Sequence, residues 1–91
     1  MISIEMLIDE LKMCESQNYL EDFYITENVI NYLDDKNLSG KNRPTLISVI
    51  FKEHVKKHTV NLIFDYIETK YIDVLYQIGK VTDRRINIYY K

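Results

Sequence analysis

Cysteine, proline and glycine are scarce in this chain: one, one and two among 91 residues. The lone Cys14 excludes an intrachain disulfide and fits a reduced, cytoplasmic setting. Long apolar runs are missing as well. The longest lies around Leu46 to Phe51, far short of the roughly 20 residues that a membrane-spanning helix needs. The first residues, MISIEMLIDEL, carry acids and no basic leader, so no secretory signal peptide is expected. What is present is the balance of a packed globule, 46% hydrophobic and 29% charged. A disordered chain would be poorer in apolar residues. The length suits a single domain, 1–91, with one modest core.

The formal net charge of -2 conceals a split. Residues 1–35 hold nine acids (Glu5, Asp9, Glu10, Glu15, Glu21, Asp22, Glu27, Asp34, Asp35) against Lys12 alone, whereas residues 36–91 hold eleven bases against five acids. Such asymmetry points to a nucleic-acid surface on the basic side, or to two halves that neutralise each other in the fold.

Ile4, Leu7, Ile8, Leu11 and Cys14 recur at steps of three and four and predict an amphipathic helix over 4–16, capped by Ser3, with Glu5 at the positive end of its dipole. Tyr19, Leu20 and Phe23 lie in a connector over 17–25 and are expected to pack down. Thr26 is expected to cap a second helix carrying Val29, Ile30 and Leu33. Residues 36–44, with Pro44 and Gly40, are the clear loop, and a third helix is expected from about Thr45, turning Leu46, Val49 and Ile50 inward. No internal repeat is visible. Beyond Thr59 two readings compete. Val60, Ile63, Phe64, Ile67, Tyr71, Val74, Leu75 and Ile78 fit one long helix ending at Gly79. Alternatively a helix stops near Lys70, and alternation at Ile72, Val74, Tyr76 and Ile78, then at Ile86, Ile88 and Tyr90, makes a hairpin with its turn at 80–83.

On the hairpin reading, residues 48–73 resemble the winged helix-turn-helix family of DNA-binding regulators. Val49 and Ile50 match the core of the first motif helix and Val55 the apolar turn residue. Lys56, Lys57 and His58 match the polar run, Thr59 and Val60 the opening of the recognition helix, and Phe64 and Ile67 its buried face. Glu68, Thr69 and Lys70 match its stop, and Tyr71 and Ile72 the entry to the wing. His54 departs from the glycine usual in the turn, and Ile50 from the usual small residue. The resemblance implies an α+β, mostly helical fold: a winged helix-turn-helix over 26–91, an extra N-terminal helical segment over 1–25, and a C-terminal wing.

It also implies a non-enzymatic, sequence-specific DNA-binding protein, a small transcriptional regulator that acts as a homodimer on double-stranded DNA and uses no cofactor. Lys56 and Lys57 would neutralise phosphates. His58, Thr59 and Asn61 stand near the helix end that enters the major groove, where an asparagine suits adenine. Lys80, Arg84 and Arg85 flank the wing turn, where arginine suits the backbone or a narrow minor groove. The acidic N-terminal helix is then expected to face away from DNA, toward a second copy or a protein partner. The rival reading is a small helical interaction protein, such as an inhibitor or immunity factor of a phage or other mobile element, which binds protein through its acidic half.

Other constellations are weak. His54 and His58 are spaced for a metal but lack a third ligand. Ser39-Gly40-Lys41 lacks the rest of a phosphate-binding loop. The acid pairs Asp9-Glu10 and Asp34-Asp35 suit solvated helix faces, Cys14 falls on an apolar stripe, and no nucleophile with a base is visible. Leu62, Tyr66 and Tyr76 lie off the main apolar stripe and are candidates for an interface.

Overall fold

The computed structural model describes residues 1–26 and 45–90, with residues 20–26 described as backbone only. Helix α1 spans Ile4–Ser16, strand β1 Leu20–Thr26, strand β2 Thr45–Phe51, helix α2 Lys57–Lys70, strand β3 Gln77–Thr82 and strand β4 Arg85–Tyr90. The strands form one antiparallel sheet in the order β1-β2-β4-β3. The fold is therefore α+β, and among the described residues the sheet is larger than expected, with a strand in place of the helix expected from Thr45. Thr26, expected to cap a second helix, is instead the last residue of β1, and the rest of that expected helix and the loop over 36–44 lie outside the described residues.

Helix α1 begins as its sequence predicts. The Ser3 hydroxyl accepts from the Met6 backbone N–H at 3.3 Å, and Glu5 occupies the first turn. It ends at Ser16, as the apolar spacing predicts. Asn18 adopts φ 69, a left-handed conformation that asparagine tolerates better than most residues. The Asn18 N–H then donates to the Glu15 carbonyl and the Tyr19 N–H to the Cys14 carbonyl, each at 3.0 Å. These paired bonds satisfy carbonyls the helix would otherwise leave open, and the chain enters β1 three residues after α1. Tyr19 is 41% exposed rather than packed down.

The main correction concerns 45–51, expected as a helix and found as β2. Thr45, Ile47, Val49 and Ile50 are β-branched and Phe51 is aromatic, a composition that suits a pleated strand. Ile47, Val49 and Phe51 point to the helices, and Leu46 and Ser48 are buried on the opposite face. Burial on both faces makes the run continuously apolar, which removes the alternation that normally marks a strand. The first helix of the expected helix-turn-helix is thus absent.

The region after α2 resolves in favour of the hairpin, with shifted limits. Tyr71 does not enter a strand: it caps α2, fully buried, and its carbonyl accepts from the N–H groups of Val74 and Leu75 in a tight turn. Strand β3 starts only at Gln77 and the reversal falls at Asp83-Arg84.

Both helices cover one face of the sheet. Leu7 and Leu11 of α1 join Val60, Ile67 and Tyr71 of α2 over Ile47, Val49, Phe51, Ile86 and Ile88, with Val55 closing the loop before α2. Among the described elements the order helix-strand-strand occurs twice, and the strand pairs β1–β2 and β3–β4 meet along β2 and β4 at the centre of the sheet. The repeat lies in the topology and not in the residue identities.

Candidate nucleic-acid interface

The N-terminus of α2 lies beside the β3–β4 turn. Lys56 is its cap residue, in extended conformation and offering no side-chain acceptor, and no acid occupies the first turn. The Val60 N–H is bonded to the Lys56 carbonyl at 3.1 Å, so the N–H groups of the first three helical residues lie at the free end of the helix. Lys56, Lys57 and His58 are exposed and Thr59 is half-buried. Lys57 Nζ approaches Asp83 Oδ1 at 3.7 Å, between side chains each about two-thirds exposed. Such an ion pair contributes little stability, but it places the turn against the helix.

Two further contacts assemble this end. Lys80 Nζ donates to the Asn61 side-chain oxygen and stands 5.8 Å from the centre of the Phe64 ring. Arg84 Nη2 donates to the Phe51 carbonyl at 3.2 Å, and the Arg84 carbonyl accepts from the Phe51 N–H at 2.8 Å. Lys56, Lys57, His58, Thr59, Asn61, Lys80 and Arg84 therefore share one end of the molecule. Lys52, not singled out from the sequence, lies in the loop that leads to it and donates from Nζ to Asn18.

Arg85 is the exception. Its Nε donates to Ser48 Oγ at 2.9 Å, on the sheet face turned away from the helices. Ser48 in turn donates to Asn87 Oδ1 at 3.1 Å. Arg84 lies in the β3–β4 turn and reaches the Phe51 carbonyl, whereas Arg85 opens β4 and is held to Ser48, so the two side chains have different partners. That bond sets Arg85 apart from Arg84, beside which the sequence places it.

A second polar cluster joins the helices. Glu10 of α1 accepts from the hydroxyls of Tyr66 and Tyr71 and, at 3.1 Å, from Lys70 Nζ. Lys70 also donates to the Tyr66 hydroxyl at 2.8 Å and lies 5.3 and 5.4 Å from the centres of the Tyr66 and Tyr71 rings. Burial by itself raises the Glu10 pKa, but the bonds from Tyr66, Tyr71 and Lys70 together outweigh it and hold the carboxyl below the usual glutamate range. Burial and the Glu10 carboxylate push the Tyr71 phenol up to about 12, and bonding to Tyr66 and Glu10 raises the Lys70 ammonium. Burial, then the nearby Glu10 charge, raises the Cys14 thiol, the reverse of what an activated nucleophile needs. The apolar spacing of α1 did not mark Glu10, because its partners lie about sixty residues away.

His54 sits in the loop and His58 on α2. Among the described residues no group of three or more His, Cys, Asp or Glu side chains is placed to hold a metal, and no helix is long and apolar enough to cross a membrane. No family model, curated protein or solved structure matches the chain.

Proposed function

We propose that this chain is a small, non-enzymatic cytoplasmic DNA-binding protein that holds the duplex with the N-terminal end of α2 and the β3–β4 turn, regulating by occupancy. One observation carries the reading: exposed Lys56 and Lys57, with His58, Asn61, Lys80 and Arg84, converge on a single end of the molecule. A helix terminus that offers backbone N–H groups beside lysines suits phosphate oxygens, and lysines that neutralise phosphates release counterions. Of the winged pattern, α2 and the following hairpin support the proposal. With β2 in place of the preceding helix, the proposed contact is a helix end plus a turn, inserted without a helix-turn-helix. Asp65 and Glu68 on the later turns of α2 limit the approach to its first turns.

The test is fluorescence anisotropy with a labelled duplex, followed by capture of genomic fragments with competitor DNA. For the Lys56→Glu/Lys57→Glu variant, affinity is expected to fall and the slope of log K against log salt to shrink by about two, measured between about 50 and 200 mM. An unchanged slope would refute the proposal. Arg84→Glu is expected to weaken binding with little loss of stability, whereas Arg85→Glu strikes the Ser48 contact and is expected to destabilise the fold.

A protein-binding reading rests on a different observation. The outward face of α1 exposes Glu5, Asp9 and Glu15 against Lys12 alone. Binding to a basic protein with no affinity for DNA would favour it.

A further inference from the structure

The opposite end of α2 has a different chemistry. Where the helix closes and the chain turns into β3, Glu68, Ile72, Leu75, Tyr76, Gln77 and Ile78 line a groove of about 270 Å³. A neighbouring hollow shares Leu75 and Tyr76 and adds Asp73. Apolar groups are left at the surface here: Ile72 is 66% exposed and Tyr76 36%. The charged residue lining the groove, Glu68, and the one lining the adjoining hollow, Asp73, are both carboxylates, and Asp65 stands one turn before Glu68 on α2, also exposed. No cation of the described residues balances them locally. Lys70 is turned to Glu10, and Lys80 lies toward the other end of β3, on Asn61.

We propose that this groove is a docking site for a cationic peptide segment of a partner protein, one that places an apolar side chain between Ile72 and Tyr76 and basic side chains against Glu68 and Asp73. Charge complementarity selects the occupant. An acidic or nucleic-acid ligand meets two carboxylates, and a wholly apolar one leaves them without counter-charge, at a desolvation cost. The volume points the same way, because sites for drug-sized molecules run from about 300 to 1,000 Å³. This groove has room for one or two side chains. The small cleft between the helices is a poorer candidate, since Glu10, Tyr66 and Lys70 close its rim. Among the described residues β3 is also an edge of the sheet, so an extended segment lying in the groove has main-chain donors and acceptors beside it. The inference stands apart from DNA binding, which uses the other end of α2.

The test uses the full chain and a short fluorescein-labelled peptide alternating lysine with leucine and phenylalanine, against the same peptide with glutamate for lysine. The lysine peptide is expected to bind and to shift the amide resonances of Ile72, Tyr76 and Gln77. Glu68→Lys/Asp73→Lys, at exposed positions, is expected to weaken it by about tenfold or more, and Ile72→Ser to weaken it with no change in the circular dichroism. Glu5→Lys/Asp9→Lys on α1 is expected to leave it unaltered. Equal binding of the glutamate peptide, an equal loss from the α1 variant, or resonance shifts confined to other elements would each overturn the proposal. So would concentration-dependent self-association that competes with the peptide, which would assign the groove to a second copy. Loss of DNA binding in the Lys56 and Lys57 variant has no bearing on these outcomes.

Discussion

Glu10 joins the two helices through a single side chain. Removing a carboxylate from water costs free energy, and three donors offset that cost here. Because its folded pKa lies below the unfolded value, Glu10 stabilises the protein at pH above the ordinary glutamate range. That contribution is lost as pH falls through the lowered folded value. Glu10→Gln is therefore expected to cost about 1–2 kcal/mol near neutral pH, discounted for the partial exposure of the site. The gap from the unsubstituted protein should narrow in acid. Urea unfolding at a series of pH values measures it, and a gap independent of pH would mean that the carboxylate charge is not what the donors recognise. Tyr71 acts in the opposite direction. Its raised phenol, at about 12, contributes stability below the ordinary tyrosine value and loses it as pH climbs through the folded one.

At the level of elements, β2 distinguishes two periodicities. In a helix, Leu46, Val49 and Ile50 would share the buried stripe. In the strand, Ile47, Val49 and Phe51 face the helices, and Ile47 is fully buried while Ile50 is half-buried. Ile47→Ala is accordingly expected to cost about 2–5 kcal/mol and Ile50→Ala clearly less, read from urea midpoints. The reverse order would restore the helix. The seven residues TLISVIF satisfy both patterns because six of them are apolar or β-branched, and a short apolar run carries no period of its own. Composition was the available discriminator, and the same criterion correctly predicts a hairpin after α2. Helices α1 and α2 were legible because each is long enough to show a polar face. The reversal after α1 was not, since Asn18 performs the turn that a glycine would have announced. Strand β3 begins late because Tyr71, which the winged-helix resemblance places at the entry to a strand, is instead buried at the end of α2.

For the molecule as a whole, the bases clustered in the second half of the sequence include Lys57, Lys80 and Arg84, which contacts with Asp83, Asn61 and Phe51 bring to the α2 N-terminus. Arg85 is held instead to Ser48 on the sheet face away from the helices, a partner in β2 that the linear sequence does not reveal. The acidic groove escaped notice because Glu68, Asp73 and Tyr76 are gathered by a turn rather than by a motif.

The doubled helix-strand-strand order has a consequence for assembly. A fragment holding only β3, β4 and α2 would present the inner margin of β4, normally mated to β2, as an open row of backbone donors and acceptors. Two such fragments, related by a two-fold axis, are expected to zip β4 to β4 and rebuild a four-stranded sheet between chains, as exchange of equivalent parts allows. Size-exclusion chromatography with light scattering would report this as a dimer mass; a fragment of monomer mass would mean that β4 requires the particular side chains of β2.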